Sequence, residues 1–237
     1  MKRVLWIPSV LALALALVWG CAERRAGEGA RSDRAGAELS AEALRTSLTE
    51  SLERCWLNQP EPLRVLFETQ LEYGAKTFGL TVFMELTAAL GQARVVGMTE
   101  MGLKLFDVSV TQDKALANSL APNVRKPEEL VQIVAGLTRR VFLHGFPSSS
   151  APATSKRDLL LVRQEGKPGA EYAFELANRT LFKADCASET CGGWRVSYLD
   201  YQAGIAPEGL LAPKRIRYED LKRGMNAQFL LRKVSRP

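Results

Sequence analysis

The chain has 237 residues, 46% of them hydrophobic and 24% charged, with 32 basic against 26 acidic side chains and a formal charge of +6. That is enough length for one substantial core and too much apolar content for a wholly disordered chain. The basic excess is mild and falls to +4 if a leader takes Lys2 and Arg3 with it, so it calls for no nucleic acid; the basic stretches PKRIRYEDLKRG and LLRKVSRP read as a solvated face or as attraction to anionic headgroups.

Met1, Lys2 and Arg3 make a charged start, and Val4 to Gly20 form an apolar run of about 17 residues interrupted only by Pro8 and Ser9. This is a signal-peptide pattern over residues 1–20. The alternative, an uncleaved anchor, sits at the short limit for crossing a bilayer. Gly20 places a small residue before Cys21, and VWGC resembles the lipobox of bacterial lipoproteins, although Trp19 is bulky for its position. The resemblance implies cleavage before Cys21 and acylation of that cysteine, palmitate included. One acyl chain holds a protein only marginally at about 0.8 kcal/mol per buried methylene, whereas three hold it firmly. Ala22 and Glu23 follow, and the absence of an aspartate after the cysteine implies, by the same resemblance, an outer-membrane destination facing the periplasm.

Residues 21–39 then read as the lipidated cysteine and a flexible tether. AERRAGEGARSDRAGAEL is dominated by Ala, Gly, Arg and acidic residues and cannot bury enough surface to offset chain entropy. The folded domain spans 40–237. Ser40 opens a helix carrying Leu44, Leu48, Leu52, Cys55 and Trp56 at helical spacing, stopped by Pro60 and Pro62. Strands are predicted over 64–73, 76–86, 92–98 and 102–110, the first two joined by a turn at Gly74. In the second, Phe78, Leu80, Val82, Met84 and Leu86 share one face. A second helix is predicted at KPEELVQIVAGLTRRVFL, with Pro127 in its first turn and Leu130, Ile133, Val134 and Leu137 on one face. Residues 145–155, GFPSSSAPATS, read as a hinge-like loop. Six further strands follow: DLLLVRQE, AEYAFELA, RTLFKAD, GWRVSYLDYQ, PKRIRYED and MNAQFLLRKVS. Helix, four strands, helix and six strands predict an α+β fold, with one strongly curved antiparallel sheet covered on one face by helices.

Cys186 and Cys191 flank a polar loop between strand-like segments, so in an oxidising compartment a local disulfide is expected. Cys55, beside Trp56, reads as a small buried hydrophobe. Chemistry-bearing motifs are missing: there is no G-x-S-x-G, no phosphate-binding glycine loop and no H-E-x-x-H. The only histidine, His144, lies at a helix end where a capping or packing role is expected. Glu128/Glu129 and Glu219/Asp220 are adjacent in sequence and point different ways on a helix or strand. No enzyme activity, cofactor or metal site is therefore expected.

Three stretches, ARVVGMTEMGLKLFDVSV, KPEELVQIVAGL and WRVSYLDYQ with the later LAPKRIRYED, resemble the paired central strands, inserted helix and late strand pair of LolA/LolB-like lipoprotein carriers. The likeness spans most of residues 40–237. It implies an incomplete β-barrel whose helices cover the concave face, and a role in holding an acyl chain or lipoprotein and passing it to the outer membrane. An open barrel is wider than its own side chains fill. The candidate lining residues are Phe78, Leu80, Val82, Met84, Phe174, Trp194, Val196, Tyr198 and Phe229, which would equally suit a dry core. GLLAP (209–213) offers either an exposed apolar tip or a buried loop. Partners expected are the membrane through Cys21, lipid or lipoprotein cargo, and envelope proteins. The competing readings are a non-carrier accessory lipoprotein working through protein contacts and a lipid-anchored hydrolase dependent on His144 or a distant carboxylate pair.

Overall fold

A computed structural model describes residues 39–164, 170–186 and 192–237. The leader, Cys21 and nearly all of the tether lie outside the described residues, as does Cys191. Both helices and all the strands belong to one compact unit, Glu38–Pro237.

The first helix, α1 (Ala41–Arg54), starts where the Ser40 side chain accepts the Ala43 N–H at 3.2 Å. Leu48 and Leu52 face inward, and the helix stops one residue before Cys55; Trp56 is buried in the short 3-10 turn that follows. The strands β1 (Leu63–Tyr73), β2 (Lys76–Thr87), β3 (Gln92–Met98), β4 (Lys104–Thr111) and β5 (Ala115–Leu120) form an antiparallel meander. Gly74, at φ +60°, supplies the left-handed residue of the β1–β2 turn. Helix α2 (Pro127–Val141) follows. A second meander runs through β6 (Ala153–Lys156), β7 (Leu159–Arg163), β8 (Ala170–Glu175), β9 (Leu181–Cys186), β10 (Trp194–Gln202), β11 (Ala212–Asp220) and β12 (Met225–Ser235).

The last strand pairs with the first, so the two meanders fuse at β1–β12 into one twelve-stranded antiparallel sheet ordered β5-β4-β3-β2-β1-β12-β11-β10-β9-β8-β7-β6. It does not close. Its two edges are consecutive in the chain, and α2 bridges them. Register breaks at Leu66/Phe67, Gly97/Met98, Asp107/Val108 and Ala173/Phe174 add local twist of the kind a curved sheet needs. One face carries the core, with Val65 and Phe67 on β1, Val82, Met84 and Leu86 on β2, and Ile216 and Tyr218 on β11. The architecture is the incomplete barrel expected from the sequence.

Two strand expectations need correction. The sheet has five strands before α2 and seven after it, not four and six. The additions are β5 and β6, its two edges, and β6 lies largely inside the stretch read as a hinge loop. ALANSL and ATSK have no apolar alternation because an edge strand borrows its order from one neighbour and buries little; Leu116 is mostly exposed. The GLLAP stretch forms no apolar tip: Leu210 is buried, and Leu211 makes an isolated parallel bridge to Cys55.

Candidate functional site: an apolar cleft beneath α2

Helix α2 has Pro127 in its first turn, Glu128 and Glu129 beside its N-terminus, and Arg139 and Arg140 in its last turn, an arrangement that complements the helix dipole at both ends. Its apolar face turns toward the sheet and roofs a cleft with Leu130, Ile133, Val134, Leu137 and Phe142. The floor comes from Phe67 and Leu71 of β1, Leu80, Val82 and Met84 of β2, Val95 of β3, Phe106 of β4 and Phe229 of β12. Thr69 and Thr138 are the polar members of the lining, and the Thr138 hydroxyl is occupied, donating to the Val134 carbonyl at 2.8 Å. Among the described residues no charged side chain lines the cleft.

An aromatic cluster fills one end. Phe67 stacks on Phe142 at 5.7 Å between centroids, Phe229 meets both edge-on at 5.5 and 5.8 Å, and Trp56 meets Phe142 at 6.3 Å. Gly97 is required beneath Phe106: a Cβ there would lie 2.2 Å from the ring. Burial fades along β1 and β2 toward the other end. Leu71 and Leu80 are half-buried, while Tyr73 and Phe78 are 42% and 46% exposed.

With α2 seated, the free volume is about 70 Å³. A liquid water occupies about 30 Å³ and small-molecule pockets run to about 300–1,000 Å³, so anything the size of an acyl chain needs α2 to shift.

The nine candidate lining residues divide into three groups. Leu80, Val82, Met84 and Phe229 meet in the cleft, and Phe78 stands at its open rim. Phe174, Trp194, Val196 and Tyr198 lie instead in the core of the β7–β10 half. There His144 is packed among Phe146, Tyr172, Trp194 and Tyr198, with ring centroids 5.1–6.5 Å away. Its Nδ1–H donates to the Gly145 carbonyl at 2.8 Å, and Nε2 lies 3.0 Å from the Tyr198 hydroxyl, which donates to the Val141 carbonyl at 2.9 Å. Burial pushes the Tyr198 hydroxyl well above its ordinary pKa. Floor residues Phe67, Leu71, Val95 and Phe106 went unnamed as lining from sequence, although alternation on β1, β3 and β4 carried the signal. The α2 face was legible, but not what it covers.

Cys55 is a free, buried thiol whose pKa burial pushes up to about 12, which keeps it protonated at neutral pH. Cys186 is buried and disulfide-bonded; the expected partner, Cys191, lies outside the described residues. Among the described residues no group of three or more His, Cys, Asp or Glu side chains is placed to hold a metal, and no helix is long and apolar enough to cross a membrane.

A second hollow of about 780 Å³, with mixed polar and apolar lining, includes outward-facing Gln70, Thr81 and Gln228 of the strands that floor the cleft, Arg217 of the neighbouring β11, and Glu100 from the β3–β4 turn.

Solved structures share this fold. A LolA superfamily protein from Nitrosomonas europaea superposes with a TM-score of 0.56 at 13% identity, covering 82% of this chain and 93% of its own. The fold is LolA/LolB-like. A putative outer membrane lipoprotein-sorting protein domain from Vibrio parahaemolyticus matches with a TM-score of 0.50 at 7% identity, over 80% of this chain and 90% of its own. No family model matches the sequence, and no curated protein matches it significantly. The likeness in fold thus comes with little sequence in common.

Proposed function

We propose that this chain is a lipid-anchored envelope protein that takes an acyl chain, free or carried by a lipoprotein, into the cleft beneath α2, in lipid or lipoprotein transfer or in outer-membrane assembly. The observation that carries the reading is the cleft itself, an apolar space without charged lining on the concave face of an unclosed sheet, roofed by an amphipathic helix. Such a lining binds hydrocarbon and offers a polar headgroup nothing. The LolA/LolB-like neighbours support the reading through their fold, and the lipobox resemblance at Cys21 supports the anchor. The role needs no catalytic group.

The test uses the chain from residue 22 onward, which retains the whole compact unit. Native mass spectrometry is expected to show copurified lipid, and hexadecanoate is expected to bind and to be lost in Ile133→Glu. A chain that purifies empty and binds no hexadecanoate sinks the proposal.

A second reading, an accessory lipoprotein acting through protein contacts, is favoured by the small free volume of the cleft and by the larger outer hollow with its mixed lining. Under it, Arg217→Glu abolishes capture of envelope partners while Ile133→Glu has no effect.

A further inference from the structure

The two ends of α2 are held by different forces. At the C-terminal end Arg140 Nη1 donates to Asp220 Oδ2 at 2.7 Å and to the Tyr218 hydroxyl at 2.5 Å. The other oxygen of Asp220 accepts the Lys222 and Arg223 N–H groups at 3.0 and 2.8 Å, so the β11–β12 turn fixes the carboxylate. Burial works to raise the Asp220 pKa, but the Arg223 N–H, Arg140 and the Lys222 N–H outweigh it and hold the carboxyl below its usual range. Arg139 donates to the Thr111 carbonyl at 2.8 Å, Gln112 to the Leu143 carbonyl, and Tyr198 to that of Val141. At the N-terminal end the ion pair is local: Lys126, 77% exposed, meets Glu129 at 2.7 Å. Among the described residues, no side-chain hydrogen bond joins residues 127–137 to the sheet. Leu130, Ile133 and Leu137 rest on it by apolar contact alone.

Freeing the C-terminal end therefore strips the Arg140 partner from a buried carboxylate and breaks four further hydrogen bonds, whereas lifting the N-terminal half separates only apolar surfaces. An entering hydrocarbon tail replaces those apolar contacts one for one. The open rim lies at that same end. Leu71 pairs with Phe78 and Tyr73 with Lys76 in the β1–β2 ladder, and Tyr73 and Phe78 carry the apolar face past the edge of the cleft into solvent. Lys126 stands close enough to Tyr73 to interact electrostatically with its hydroxyl. The opposite end is filled by Phe67, Phe142 and Phe229.

Resting on the acyl-chain reading above, we propose that the cleft loads tail-first at the Tyr73/Phe78 rim. The N-terminal half of α2 lifts while its C-terminal attachments hold, and the ligand is an amphiphile whose polar head stays outside, beside Lys126. The dead end and the uncharged lining exclude a chain that is polar at both ends.

The test compares hexadecanoate with hexadecanedioate, which has the same length and a carboxylate at each end, on the chain from residue 22 onward. Hexadecanedioate is expected to bind at least about tenfold more weakly, since its second charge must be buried. Phe78→Glu, at an exposed site that leaves the core intact, is expected to slow hexadecanoate association by about tenfold, with an unchanged unfolding midpoint. On binding, amide exchange is expected to change over residues 130–136 and to stay constant over 138–143. Equal affinity for the two acids, normal association in Phe78→Glu, or exchange changes confined to 138–143 overturns rim loading while leaving acyl binding standing. Failure of every form to bind hexadecanoate removes the acyl-chain reading and this proposal with it.

Discussion

The sheet is filled by different means on its two sides. Between β7 and β10 the space is closed by large side chains with polar tips, each tied down: Tyr172 donates to the Gly145 carbonyl at 2.7 Å, Tyr201 to the Leu181 carbonyl at 2.6 Å, and Tyr198 to that of Val141. Helix α1 packs on β6 and β7, and the Arg179–Glu50 pair at 3.0 Å fastens it to the β8–β9 connection. Beneath the N-terminal half of α2, between β4 and β12, the filling is almost wholly hydrocarbon, and among the described residues no side-chain hydrogen bond joins residues 127–137 to the sheet. Directional bonds specify one arrangement, whereas apolar contacts tolerate replacement by other apolar matter of similar bulk. One side is thus built to stay shut and the other to exchange its contents.

The contrast is tested first by truncation. Phe174→Ala, in the tied side, is expected to cost about 4 kcal/mol in urea unfolding, whereas Leu80→Ala at the half-buried cleft edge costs about 1 kcal/mol. Equal losses would erase the distinction. Gly97→Ala drives a methyl into the Phe106 ring and is expected to cost about 3 kcal/mol and to displace part of the cleft floor, seen as a lowered melting temperature with altered hexadecanoate affinity. If affinity stays normal despite the destabilisation, Phe106 is structural only.

A further test concerns how the cleft side is braced from outside. Asp107, nearly buried on β4, receives Arg94 at 3.0 and 2.7 Å and Asn118 at 2.9 Å. The Arg94 hydrogen bond, followed by that from Asn118, holds its carboxyl at about 2 against an ordinary 3.8, despite the opposing effect of burial. A depressed carboxyl stabilises fully above its unfolded value and loses that contribution as pH falls toward its folded one. Stability is therefore expected to drop by about 2 kcal/mol as pH falls from about 4 to about 2, and Asp107→Asn is expected to lose a similar amount at pH 7. A variant as stable as the parent at pH 7 would show that the brace contributes nothing.

Most of the strands were readable because each buries one face. Val82, Met84 and Leu86 alternate with half-exposed neighbours, and a period of two has no other reading over that length. β5 and β6 escaped because an edge strand needs no buried face. The candidate site was half legible for a related reason. Alternation shows that Phe229 and Tyr198 both point inward, but not that one meets α2 and the other meets His144.

The sequence alone determined the local features: the apolar run ending at Cys21, the Ser40 start of α1 and the Pro127 start of α2, the inward face of each long strand and the hydrocarbon face of α2. These follow from spacing along the chain, which local geometry converts directly into direction. Only the tertiary structure decided which inward faces share a space, that β12 returns to β1, and that the C-terminal end of α2 is tied while its N-terminal end rests on hydrocarbon. Those outcomes depend on contacts between residues far apart in sequence, such as Arg140 with Asp220 and Phe67 with Phe229, and no periodicity records them.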